Sequence, residues 1–154
     1  MSVSPVPSGY HSVTPYLIVD GADAAIRFYV EAFGATEVMR MPMGDKIGHA
    51  EIKIGDSNIM LADEFPDMDA LSPNKRGGTS VSLMVYVPDV DVVFDRAVQA
   101  GARASQPVAD KFYGDRSGTI YDPFGHCWTI STHVEDVAPD EMRRRMEELD
   151  HAPA

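Results

Sequence analysis

Cysteine is nearly absent from this chain: among 154 residues only Cys127 carries a thiol. One cysteine excludes an internal disulfide framework and a cysteine-based zinc cluster within a single chain. Basic residues are scarce too, 13 Lys and Arg against 24 Asp and Glu, for a formal charge of -11. Such a field repels polyanions, so neither nucleic acid nor an anionic membrane is an expected partner. No run approaches the roughly 20 apolar residues that span a bilayer. The opening MSVSPVPSGYHS lacks the basic start and apolar centre of a secretory signal. No Gly-rich phosphate loop, Rossmann turn or Ser-His-Asp order is present. What remains is a globular composition, 44% apolar and 24% charged, read as one soluble, cytoplasmic domain.

The pattern along the chain repeats. Residues 1–12 form a Ser-, Pro- and Gly-rich tail. In 13–66, Thr14–Val19 reads as a strand and Ala22–Phe33 as a helix, with Ile26, Tyr29, Val30 and Phe33 at helical spacing and Gly34 as its stop. Three strand-like runs follow at Glu37–Met41, Gly48–Ile54 and Ser57–Ala62, separated by Gly-Asp turns. Residues 67–80 are a connector. In 81–134 the order recurs: strand Val81–Val87, helix Val90–Ala100, short strand Arg103–Pro107, then a hairpin of Gly118–Tyr121 and His126–Thr132. Residues 135–154 hold a last helix opened by Pro139-Asp140-Glu141. Gly34-Ala35 maps onto Gly101-Ala102 and Ile59/Leu61 onto Trp128/Ile130, which marks a duplicated unit. One such unit cannot bury both faces of its sheet, so the two must pair.

The segments TPYLIVDGADAAIRFYVEAFGA, GHAEIKIGDSNIMLADE, VYVPDVDVVFDRAVQAGA and YGDRSGTIYDPFGHCWTIST resemble, in that order, the vicinal oxygen chelate superfamily. That superfamily includes glyoxalase I, bleomycin-resistance proteins and extradiol dioxygenases, and the local match resembles its PhnB-like branch. The resemblance implies an α+β fold of two paired βαβββ units, whose curved mixed sheets form half-barrels with helices outside. It also implies a homodimer, because members commonly complete or cover their sheets between chains.

Period-two alternation assigns the faces. Ala50, Ile52 and Ile54 are expected in the core, as are Ile59, Leu61, Trp128, Ile130 and the valines and leucine of Val81–Val87. The opposite face then carries His49 and Glu51; Met60; Ser82, Met84 and Tyr86; and Cys127, Thr129 and Ser131. In metal-dependent relatives the ligands are His or Glu on the first and last strands of each unit. The matching positions here are Thr14, Met60, Ser82 and Thr129, so no metal and no cofactor is expected. The expected function is binding of a small organic molecule in the half-barrel cavity. Thr14, Tyr16, Met60, Ser82, Met84, Tyr86, Arg116 and Thr129 are the candidate contacts, Arg116 because its fork suits a carboxylate or phosphate. His49 and Glu51, two apart on one strand, are a candidate acid–base pair, since a carboxylate orients and charge-stabilises an imidazole. Two enzymatic alternatives stand beside binding: a metal-dependent glyoxalase-like lyase or dioxygenase, and a metal-free isomerase or lyase using that pair. Cys127 has no activating neighbour on its own strand face.

Overall fold

The structure is a computed structural model and describes residues 2–153; Met1 and Ala154, at the ends of the two terminal segments, lie outside the described residues. Two four-stranded sheets carry the chain. In the first, β1 (Tyr16–Val19), β2 (Thr36–Met43), β3 (Lys46–Ile54) and β4 (Ser57–Asp63) lie in the order β1-β4-β3-β2. In the second, β5 (Ser82–Tyr86), β6 (Arg103–Asp110), β7 (Asp115–Tyr121) and β8 (Cys127–His133) repeat that order as β5-β8-β7-β6. The first strand of each unit runs parallel to the last: Leu17 pairs with Leu61, and Val85 with Ile130. The duplication therefore holds in strand order and in this parallel pairing.

Each unit places a helix between its first two strands: α1 (Ala22–Phe33) in the first and α3 (Val90–Gln99) in the second. The connector folds into a 3-10 turn at Pro66–Met68 and the short helix α2 (Pro73–Arg76), and α4 (Pro139–Asp150) ends the chain. Gly34 stops α1 in the left-handed region at φ 68°, its N–H returning to Val30 O and that of Ala35 to Tyr29 O. The start of α1 lacks a local side-chain cap. Asp63, at the end of β4, supplies one, accepting from the N–H groups of Gly21 and Ala22 at 2.9 and 2.8 Å. In the second unit Thr132, near the end of β8, accepts from Val90 N at 2.9 Å, and Asp89 accepts from Val92 N. The same stitch between strand end and helix start is thus made with different chemistry in the two halves.

The apolar faces of both sheets and the two helices share one core. Tyr29 and Phe33 of α1 reach the second unit, with ring centroids 5.5 and 4.8 Å from that of Trp128. Beneath them Asp122 is buried but fully satisfied. Its Oδ2 accepts from Tyr29 Oη at 2.6 Å and Trp128 Nε1 at 2.9 Å, and its Oδ1 accepts from the backbone N–H groups of Phe124 and His126. A buried carboxylate is tolerated only with such a complete set of donors. His126 Nε2, 2.9 Å from Ile18 O, joins the units again at the free edge of β1.

The alternation in β3 is as expected, with Ala50 and Ile52 fully buried. Val81 and Val30 depart from it, 64% and 44% exposed. Val81 precedes the first residue of β5, and Val30 lies off the helix face that meets the core. Ser131 departs the other way: expected on the open face, it is fully enclosed. Pro42 and Pro107 do not end their strands. Both lie in β2 and β6, the outer strands, at register shifts where no ladder N–H is required.

Candidate functional site

The open face of the first sheet gathers three of the candidate residues. β1 places Tyr16 beside β4, and β3 places His49 and Glu51 on the same side by the two-residue period. Tyr16 Oη lies 2.8 Å from His49 Nδ1, and His49 Nε2 lies 3.2 Å from Glu51 Oε1. Glu51 accepts only, so His49 carries its proton on Nε2 and Nδ1 accepts from the Tyr16 hydroxyl. The tail closes this chain of bonds: Tyr10 Oη donates to Glu51 Oε2 at 2.5 Å, and Gly9 O accepts from Asn58 Nδ2 at 2.6 Å.

The electrostatics follow from these contacts. Hydrogen bonds from Tyr10 and His49 hold the Glu51 carboxyl below its ordinary range, against the opposing effect of burial. The same bond pushes the Tyr10 phenol up to about 12. Burial, then the charge of Glu51, raises the Tyr16 phenol. Glu51 is therefore kept as a carboxylate at neutral pH, and the phenols of Tyr10 and Tyr16 keep their protons.

Tyr16 also walls a cavity of about 310 Å³, with Ile18, Met43, Phe65 and Met68 as its apolar lining. Phe65 is held from one side by Lys46, whose ammonium sits 5.2 Å from the ring centroid and donates to Glu64 O. Asp63 lies in the wall, but its carboxylate is spent on Gly21 N, Ala22 N and, at 2.7 Å, Ile47 N. The cavity thus offers apolar surface and a single reactive edge at Tyr16.

Of the remaining candidates, Met60 shares this open face and the others lie elsewhere. Thr14, Met84 and Tyr86 line a second cavity of about 290 Å³ between the tail, the start of β4 and β5. Met60 is in register with both Tyr16 and Glu51, whereas Thr129 is in register with Met84 on the other sheet and Ser82 with Cys127. None of Met60, Ser82 and Thr129 lines any of the three principal cavities. The Arg116 fork is taken by Asp91, at 2.9 Å through both Nε and Nη2, and by Asp110.

Three contributors escape sequence reasoning. Tyr10 belongs to a tail with no periodic signal, and Phe65 and Met68 to an aperiodic connector. The third is a polar cluster on the second sheet. Asp115 accepts from Tyr86 Oη at 3.0 Å and contacts His133 Nδ1 at 2.7 Å, while His133 Nε2 meets Asp136 at 2.7 Å. With both ring nitrogens on carboxylates, the charged form of His133 is favoured, its pKa raised first by Asp115 and then by Asp136. Burial opposes ionisation of Asp115, but the bonds from His133 and Tyr86 outweigh it and its pKa is lowered. The Ser131 hydroxyl is near enough to favour that carboxylate, although it makes no hydrogen bond of good geometry.

Two paired units with this strand order are one observation; the match to a family model is the deciding one. Residues 9–130 match the model described as the Glyoxalase/Bleomycin resistance protein/Dioxygenase superfamily. The chain belongs to this superfamily. It is 41% identical over 139 residues to the uncharacterized protein Rv0887c of Mycobacterium tuberculosis, covering 88% of this chain and 82% of that one. Among solved structures it is similar to TioX from Micromonospora sp. ML1, with 27% identity, a TM-score of 0.63, and coverage of 83% of this chain and 100% of TioX. A PhnB protein from Bacillus cereus, 18% identical, shares the fold with a TM-score of 0.61 over 79% of this chain and 99% of its own.

Metal-dependent superfamily members bind a divalent ion through His and Glu side chains, and the donors at the matching positions here do not fit one. Thr14, Ser82 and Thr129 supply neutral hydroxyls and Met60 a thioether, with no imidazole or carboxylate among them. Nor, among the described residues, do three or more His, Cys, Asp or Glu side chains converge elsewhere. Among the same residues, no helix is long and apolar enough to cross a membrane.

Proposed function

We propose that this superfamily member binds a small, largely apolar organic molecule in the cavity beside Tyr16, and does so without a divalent metal. One observation carries the reading: an apolar cavity of about 310 Å³ adjoins the only hydrogen-bonded set among the candidate contacts, Tyr16, His49 and Glu51, while the metal positions hold Thr14, Met60, Ser82 and Thr129. A PhnB-like assignment and residence in the cytoplasm, where a lone thiol such as Cys127 stays reduced, belong to the same proposal.

The working form is a homodimer. Tyr16, Met84 and Tyr86 are 48, 50 and 59% exposed on β1 and β5. These are free sheet edges within one chain, and aromatic and Met side chains gathered there suit an interface. In the dimer the second sheet of one copy faces the first sheet of the other, which brings Ser82, Met84, Tyr86 and Thr129 toward the ligand. Arg116 contributes only where a ligand displaces Asp91.

Elemental analysis combined with native mass spectrometry, on protein purified without chelator, tests both parts. The expected outcome is a dimer mass, metal far below one equivalent per chain, and a retained organic molecule lost in a Phe65→Ala variant. Stoichiometric Ni, Zn, Fe or Mn would reject the reading in favour of a metal-dependent lyase or dioxygenase.

A further inference from the structure

We infer that Tyr16, His49 and Glu51 form a proton-transfer unit that ionises a weakly acidic hydroxyl, a phenol or an enol, on the molecule held in the adjoining cavity. The inference rests on the cavity reading above and adds the chemistry performed there. Tyr16 is the one residue common to the apolar wall and the hydrogen-bonded chain. Its proton points to His49 Nδ1, so its oxygen has lone pairs left for a donor from the cavity side. A neutral hydroxyl is such a donor; a carboxylate or phosphate is not. Glu51 and the net charge of -11 also disfavour an anionic ligand on entry.

The transfer balances without any co-reactant. The ligand O–H bond breaks and its proton goes to Tyr16 Oη. The Tyr16 O–H bond breaks and that proton goes to His49 Nδ1. The product is a ligand oxyanion accepting from a neutral Tyr16 hydroxyl, beside an imidazolium that lies between Tyr16 and Glu51. Positive charge appears where a carboxylate already waits, so the site needs little reorganisation. Glu51 is kept ready by Tyr10, whose bond from the tail fixes the second carboxylate oxygen. Tyr16 touches the ligand and is the catalytic residue; His49 stores the proton, and Glu51 and Tyr10 position it. An enol ionised in this way becomes an enolate, the intermediate of a keto–enol isomerisation that needs no metal.

The test uses the full-length protein and 4-nitrophenol, a small apolar phenol whose absorbance reports its ionisation. Calorimetry measures binding and visible absorbance measures the charge of the bound probe, at a pH about one unit below the probe's own pKa. Bound to the wild-type protein, the ionised fraction should exceed that of free probe by about threefold or more, equivalent to about half a pKa unit. Tyr16→Phe and His49→Asn, each read at probe concentrations that saturate the variant, should show no excess ionisation; Tyr121→Phe, outside the site, should match wild type. Binding with unaltered absorbance overturns the proton-transfer unit and leaves the cavity reading standing. Excess ionisation retained in both Tyr16→Phe and His49→Asn overturns it equally. Absence of saturable binding overturns both.

Discussion

Replacing Asp122 by alanine tests whether the two units are held together as described. Four donors lose their acceptor at once: the Tyr29 hydroxyl, the Trp128 indole N–H, and the backbone N–H groups of Phe124 and His126. Tyr29 and Trp128 are at most 2% exposed, so water does not reach them without a local opening. Each stranded buried donor costs about 1–3 kcal/mol. His126 is partly exposed and recovers some of its loss from solvent. The sum, discounted for relaxation, is about 3–5 kcal/mol, the range for breaking a buried charge-centred network. For a chain of this length that corresponds to a fall in Tm of about 6–20 °C.

Urea unfolding at fixed protein concentration, followed by the fluorescence of the single tryptophan, measures this loss. Asp122→Asn should fall between wild type and alanine. Its amide keeps one acceptor oxygen for one pair of donors and turns N–H groups toward the other. Tyr29→Phe removes one bond to a charged acceptor and should cost about 1.5–3 kcal/mol. An Asp122→Ala loss below about 1 kcal/mol would refute the view that this carboxylate is the joint between units.

Two further outcomes follow from local geometry. The raised pKa of His133 means that its contribution to stability is fully present below the ordinary imidazole range, near pH 6.5, and is lost as pH rises through the higher folded value. The urea midpoint of wild type should therefore drop over that interval, and His133→Gln should flatten the drop; parallel curves would contradict it. Gly114 holds φ at 100°, and an added Cβ would lie 2.1 Å from Glu135 O. Gly114→Ala should cost more than about 2 kcal/mol by thermal unfolding, and an unchanged Tm would show that the loop yields.

Much of the frame is legible in the sequence because it is written in periods. Ala50, Ile52 and Ile54 alternate, Gly34 and Gly101 stop their helices, and the offset between Leu61 and Ile130 survives in the strand register. Strand limits near Pro42 and Pro107 are less legible, because a proline ends an inner strand but is accommodated at an outer one. The site is legible only in part. His49 and Glu51 share a face by periodicity, and Tyr16 joins them only because β1 crosses to lie beside β4. Tyr10, Phe65 and Met68 reach the site from segments without any repeat, placed by tertiary contacts that no local pattern records. Arg116 illustrates the reverse: a residue suited to anions is satisfied by Asp91, which lies on a helix 25 positions earlier.

Asp63 gives the cavity an unusual division of labour. The residue borders the hollow, yet its carboxylate is wholly engaged in stitching strand to helix. Lining and framework are therefore separable: changes at Met43 or Met68 reshape what fits inside, while the stitch that fixes the helix stays intact. A scaffold organised this way lets descendants of one gene drift toward new cargoes through a few soft side chains, without first having to relearn how to fold.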